Sequence, residues 1–279
     1  MISVQAPNIV KPMPWFPGTN VKPWGLWDKC ALCMPFWGMA GTKPYDMGQS
    51  HFVPTATGTP TWVTTPRGRM LSFGAGNYLS FGNVLPFGTD RTIFALFRLP
   101  SVASDQVIVG KFTDGNTVGQ WLLQFDDVSA PSSNTDRLSY TCATAAGGFV
   151  NWPWRDSATT LVANTYYAAA VVHRWGVSLD MYINGRLDNG WSQNLTNTGA
   201  SVSANATVVG NTESANKSML GEIAILIVWN RILNSAEVAA LSADPFLMIR
   251  EPGFQRSFFG ATMAADSSRR RRLICAGAN

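Results

Sequence analysis

Short apolar runs separated by turn residues fill most of this chain. TIFALFRL (92–99), QVIVGKF (106–112) and GQWLLQFD (119–126) are the first clear examples. RLSYTC (137–142), YYAAAVVHRW (166–175), VSLDMYIN (177–184) and ATVVGN (206–211) continue the series. Runs of this length, rich in β-branched and aromatic residues and bounded by Gly, Asn, Asp and Ser, predict strands. VSLDMYI alternates and then meets Asn184-Gly185, the pair favoured in a tight hairpin turn. In LGEIAILIVWNRILNSAEVAAL (220–241), the first half predicts a strand with Ile223, Ile225 and Ile227 on one face and Ala224, Leu226 and Val228 on the other. Both faces are apolar, so this strand is expected to be buried on both sides. Asn234 then suits a helix N-cap, and Glu237 three residues on completes a capping box. A short helix is expected through Leu241, ending before Asp244-Pro245. The connections DVSAPSSNTD (127–136) and NLTNTGASVSAN (194–205) are rich in turn-forming residues. About a dozen strands and one short helix predict an all-β fold, an antiparallel two-sheet jelly-roll sandwich.

Two segments resemble the laminin G-like members of the concanavalin A-like lectin/glucanase superfamily. The first is the hairpin with Tyr182, Asn184 and Gly185. The second carries Gly221, Ile223, Trp229, Asn230, Arg231, Leu233, Ser235, Glu237 and Val238 in the family's order. NYLSFG (77–82) is similar to the family's opening strand, with Asn77 where an acidic residue is frequent. MPFWGMAGTKPYDMGQSHF (34–52) is a degraded form of its leader. The resemblance spans roughly residues 30–250 and implies the concanavalin A-like sandwich. Activity has to be argued from a site, because one fold hosts many functions.

Composition changes the picture at the two ends. Only 14% of residues are charged, and the chain holds 11 Trp and 15 Phe. That is a sticky composition beside the roughly 25% charge of ordinary domains. Residues 1–29 read as an extended arm: Pro7, Pro12, Pro14, Pro17 and Pro23 block regular structure, while Trp15, Phe16, Trp24 and Trp27 offer packing surface. Residues 30–251 form the expected sandwich. Residues 252–279 form a tail with Phe254, Phe258 and Phe259, then Arg269, Arg270, Arg271 and Arg272. The net charge is +4, so those four arginines carry all of it and the remainder is neutral. Such a run suits contact with nucleic acid, an acidic protein surface or a membrane surface, or serves only as a solvated tail, and it is too short for a specific nucleic-acid domain. No apolar run reaches the ~18 residues of a membrane span, so no membrane insertion is expected. MISVQAPNIVKPMPW lacks the pattern of a secretory signal, so synthesis in a cytoplasm is expected.

The search for chemistry is mostly subtractive. Superfamily glucanases use paired carboxylates on one strand, in an E-x-D-x-E arrangement. The four glutamates here, Glu213, Glu222, Glu237 and Glu251, form no such pair. His51 and His173 have no nucleophile motif near them, so no enzyme is expected. Cys30-Ala-Leu-Cys33 has metal spacing but no second pair, and reads as two small buried hydrophobes. No cofactor is expected. The resemblance leaves calcium open, with Asp114, Asn116, Asp126, Asp127 and Asp136 as oxygen donors that match no family motif. The loop from Asn151 to Asp156 combines Trp152, Trp154 and Arg155, the composition of a glycan site or of a packed loop. A non-enzymatic sandwich with two sticky arms suits a virion, as a bacteriophage head decoration or a tail or fibre component. LSADPFLMIREP (241–252) is similar to endings in phage laminin G-like proteins. The expected partners are other virion proteins and copies of itself. The alternative is a lectin module for a cell-surface glycan.

Overall fold

A computed structural model describes residues 23–36, 44–85, 88–113, 120–126, 135–143, 152–197, 204–215 and 217–249. In chain order the strands begin with β1 (Cys30–Pro35), β2 (Thr55–Thr57), β3 (Thr61–Thr65), β4 (Gly68–Phe73) and β5 (Tyr78–Ser80). Next come β6 (Arg91–Arg98), β7 (Gln106–Lys111), β8 (Gln120–Asp126), β9 (Arg137–Ala143) and β10 (Trp154–Thr160). β11 (Tyr166–Arg174), β12 (Ser178–Ile183), β13 (Arg186–Leu187), β14 (Asn189–Gln193), β15 (Val208–Val209) and β16 (Gly221–Trp229) follow. The helices are α1 (Pro23–Leu26) and α2 (Ser235–Ala243).

The strands form two antiparallel sheets, the expected two-layer architecture. Sheet A runs β13-β12-β11-β6-β16-β4-β3, and sheet B runs β14-β10-β9-β8-β7-β15-β5-β2. β16 sits inside sheet A, with β6 along one edge. Its other edge is shared: Gly221–Ile223 pair with β4, and Ile225–Trp229 pair with β1. The main core lies between the sheets and includes Phe97, Trp121, Phe125, Tyr140, Met181 and Val228.

A second core covers the other face of sheet A. There Phe94, Ala170, Ile225, Ile227 and Trp229 meet Val238 and Leu241 of α2, Phe246 and Met248 beyond it, and Leu26 before β1. This explains why every residue of β16 is buried. The alternation differs from the expected one. A register shift between Ile223 and Ile225 places Ile223 in the main core, while Ile225 and Ile227 face α2. A bulge inserts one residue, and one residue inverts every later side chain.

The turn and cap follow their sequence signals. Asn184 and Gly185 take φ of 51° and 80°, the doubly positive turn that fits a twisted hairpin. The Asn234 side chain accepts from Glu237 N, and the Glu237 side chain accepts from Asn234 N. One expected loop is instead a strand. Residues 154–160 form β10, paired with β9 and β14, so the Trp-rich segment becomes part of sheet B.

Candidate functional site

α2 covers only part of the outer face of sheet A. Beside its first turn, the uncovered end of the β11–β12 hairpin forms a groove of about 510 Å3. Val172 and Arg174 of β11 and Ser178, Asp180 and Tyr182 of β12 make its floor. The loop from Arg231 to Asn234 and the start of α2, with Ser235 and Glu237, make the wall. The floor follows from strand periodicity. Leu179, Met181 and Ile183 point into the main core, so Ser178, Asp180 and Tyr182 share the opposite face.

The wall is fixed by a dense set of bonds. Arg231 donates from Nε to Asp28 O (3.0 Å), from Nη1 to Ile232 O and Glu237 Oε2 (3.2 and 3.1 Å), and from Nη2 to Gly25 O and Glu237 Oε1 (both 2.9 Å). All of its N–H groups are then used. Glu237 also accepts from Asn234 N through Oε2. The Thr92 hydroxyl donates to Arg231 O and accepts from Leu233 N, tying the wall to β6.

The floor keeps free chemistry. The Arg174 side chain is exposed and makes no hydrogen bond or ion pair with the described residues, and the hydroxyls of Ser178, Tyr182 and Ser235 are uncommitted. Asp180 accepts from Asn189 Nδ2 (2.8 Å) through Oδ1. Burial, followed by the nearby Asp180 charge, raises the Tyr182 phenol above its ordinary value, so it stays a neutral donor and acceptor. The groove thus offers hydroxyls, a carboxylate, a guanidinium and part of an aromatic ring, on a floor braced from behind.

The residues singled out from sequence lie elsewhere. Trp152 and Trp154 are buried, 1% and 2% exposed, so neither presents a face on which a sugar can stack. Trp152 packs edge-on against Phe112, and Trp154 Nε1 donates to Asp156 Oδ1 (2.6 Å). Arg155 donates to Leu179 O and Gly190 O (3.0 and 3.2 Å), linking β10 to β12 and β14. Trp27 is half-buried and donates to Met248 O (3.1 Å). Trp24 lies on α1 with its side chain outside the described residues. Trp15, Phe16, Phe254, Phe258, Phe259, Arg269, Arg270, Arg271 and Arg272 also lie outside them, as do Asp114, Asn116 and Asp127. Asp126 is buried and accepts from Gln124 (3.3 Å). Among the described residues no three potential ligands are grouped for a metal ion. Cys30 and Cys33 are buried in the second core. Both oxygens of Glu222 accept from Arg98 (2.9 and 2.8 Å), so it braces the sheet.

Nothing in the sequence marked the groove as a site. Tyr182, Arg231 and Glu237 stood out only as fold signatures. The polar face of VSLDMYI looks the same whether it meets water or a ligand.

A family model described as the concanavalin A-like lectin/glucanases superfamily matches residues 73–239. No curated protein matches the sequence. Three solved structures are similar in fold. The binding domain of Paraclostridial mosquitocidal protein 1 has a TM-score of 0.60 at 14% identity, over 79% of this chain and 53% of that one. Domain 4 of a GH43 extracellular arabinanase from Geobacillus stearothermophilus, solved with arabinotriose, gives 0.55 at 14% identity, over 77% of this chain and 98% of that one. Botulinum neurotoxin type C, which depends on two ganglioside molecules to enter cells, gives 0.57 at 11% identity, over 78% of this chain and 52% of that one. The chain therefore spans about half the length of the two toxin chains and nearly all of the arabinanase domain. Among the described residues no helix is long and apolar enough to cross a membrane.

Proposed function

The chain belongs to the concanavalin A-like lectin/glucanase superfamily, and from that premise we propose that it is a non-catalytic recognition module that binds a saccharide in the groove between β12 and α2. The observation that carries this is a braced floor on which Arg174, Ser178 and Tyr182 are uncommitted and Asp180 has one oxygen bound to Asn189 and one left over. Saccharides present many hydroxyls, and a site that recognises them needs closely spaced donors and acceptors. A volume of about 510 Å3 falls within the usual range of small-ligand sites. Arabinotriose and gangliosides, named with two structures of similar fold, belong to the same ligand class.

Among the described residues the groove offers no pair of free carboxylates of the kind that glycoside hydrolysis requires. Glu237 has both oxygens bound to Arg231 and also caps α2. Asp180 is the other carboxylate lining the groove. One such group can orient a hydroxyl but cannot serve as both acid and nucleophile.

The setting we propose is a virion made in a host cytoplasm, in which arms dock the module to neighbouring proteins or further copies. One structural observation supports it. The Trp27–Met248 bond ties the root of the N-terminal arm to the segment that leads into the C-terminal tail. Both arms thus start from one side of sheet A, where they can engage one neighbour.

Labelled full-length protein on a glycan array tests the binding role. Binding to a defined set of glycans, lost in Tyr182→Ala with the fold intact, is expected. No binding to any glycan, or turnover of one, would overturn the reading. The setting is tested by copy number in purified particles.

A further inference from the structure

We infer that the groove selects a neutral, linear oligosaccharide laid along β12, with Asp180 as the acceptor that fixes its register. This rests on the saccharide reading above and narrows its ligand.

Charge favours a neutral ligand. Arg174, Asp180, Arg231 and Glu237 line the groove. Arg231 and Glu237 neutralise each other at 2.9 Å and are further held by backbone groups. Among the described residues lining the groove, that leaves one exposed cation, Arg174, and one carboxylate, Asp180, on neighbouring strands. Val172 pairs with Asp180 and Arg174 with Ser178, so the two charges sit one pleat apart on the same face. An anionic sugar near Arg174 must also lie near Asp180, whose repulsion offsets the attraction. A neutral polyol meets no such conflict. It can donate to Asp180 and accept from Arg174, and charge-assisted hydrogen bonds of both kinds are the strong ones.

Direction favours a linear one. Ser178, Asp180 and Tyr182 follow one another at every second residue, about 6.5–7 Å apart along the strand. They present a hydroxyl, a carboxylate and a phenol in a line. The start of α2 and the preceding loop run beside them as the opposite wall. A ladder of single contacts in a walled groove fits a chain of repeating units better than a branched cluster. An apolar ligand would bury the Ser178 hydroxyl and the second Asp180 oxygen without partners, which is costly. The loss of a buried hydrogen-bond partner is also what lets a polar site discriminate strongly.

The test is calorimetric titration of the full chain with arabinotriose, cellotriose and maltotriose on one side, and trigalacturonate and sialyllactose on the other. At least one neutral trisaccharide should bind, and its Kd should change little from low to high salt. Asp180→Asn should weaken it about tenfold or more, Ser178→Ala a few-fold, and Arg174→Ala a few-fold, with unchanged melting temperatures. If Asp180→Asn lowers the melting temperature, the Ser178→Ala and Arg174→Ala titrations decide alone. Tighter binding of an acidic sugar, weakened by salt and abolished in Arg174→Ala, would overturn the neutral assignment while leaving the saccharide site in place. Absence of binding by every sugar would sink both.

Discussion

At the scale of single residues, the buried polar groups decide what the chain tolerates. His173 is 2% exposed and lies 3.4 Å from the Tyr140 hydroxyl, with Trp175 packed on its other side. Burial, with the Arg91 charge nearby, pushes its pKa down to about 3. The folded protein therefore keeps this ring neutral while the unfolded chain binds a proton below about 6.5. Stability from His173 is complete above that value and declines as pH falls toward 3, at up to about 1.4 kcal/mol per unit. Asp46 acts in the opposite sense because burial raises it. Urea melts of the wild type and His173→Gln across this range isolate the histidine: the mutant should show the shallower slope. Equal slopes would contradict the burial of a neutral ring. Trp154 makes a second residue-scale prediction. Its ring is inside, bonded to Asp156, so Trp154→Ala should cost about 3–5 kcal/mol in denaturant melts. Glycan binding measured in the surviving folded fraction should be retained. The sequence around Trp152 and Trp154 could not separate these roles, because an exposed sugar platform and a packed indole share one composition.

At the scale of elements, local signals were readable and long-range pairings were not. The hairpin at Asn184-Gly185 and the Asn234–Glu237 box are contained within a few residues, and both formed as expected. β1 was not legible: CALCMP shows no alternation, since all its residues are buried. It becomes a strand because β16 offers it an edge. The bulge in β16 was invisible for the same reason, since both of its faces are apolar. The signature residues Trp229 and Arg231 have a defined task at this scale. Trp229 Nε1 donates to Leu26 O at 2.5 Å, and Arg231 reaches Gly25 O and Asp28 O. Residues 25–29, within the expected arm, are thus held by the sandwich. A chain starting at residue 23 should melt like the full chain, whereas one starting at residue 30 should lose several degrees. Arg231→Ala should cost about 3 kcal/mol, because it leaves Glu237 mostly buried without its partner. Similar melting of both truncations would show that the clamp contributes little.

At the scale of the whole molecule, the distribution of cover creates the site. Sheet A needs shielding on its outer face because β6, β11 and β16 are apolar there. α2, residues 245–249 and the segment before β1 supply it as far as Tyr182, but leave the Ser178–Asp180 end of β12 uncovered. What they leave is the polar floor beside a rigid wall. The outer face of sheet B is organised differently. Gln124, Ser139 and Asp156 are neighbours across three strands and are buried, with Ser139 Oγ donating to Asp156 at 2.6 Å. Gln124 Nε2 also donates to Asp126 at 3.3 Å, while Gln124 Oε1 is buried without a partner among the described residues. The proposed saccharide site is thus a place as well as a ligand class, over β12 rather than over sheet B. Amide chemical-shift mapping of the full chain, titrated with the tightest neutral trisaccharide, tests it most directly. Shifts at Arg174, Ser178, Asp180, Tyr182 and Ser235 are expected, with Gln124, Ser139 and Asp156 unmoved; saturable shifts confined to those three sheet B residues would put the ligand on the other sheet and sink the β12 site.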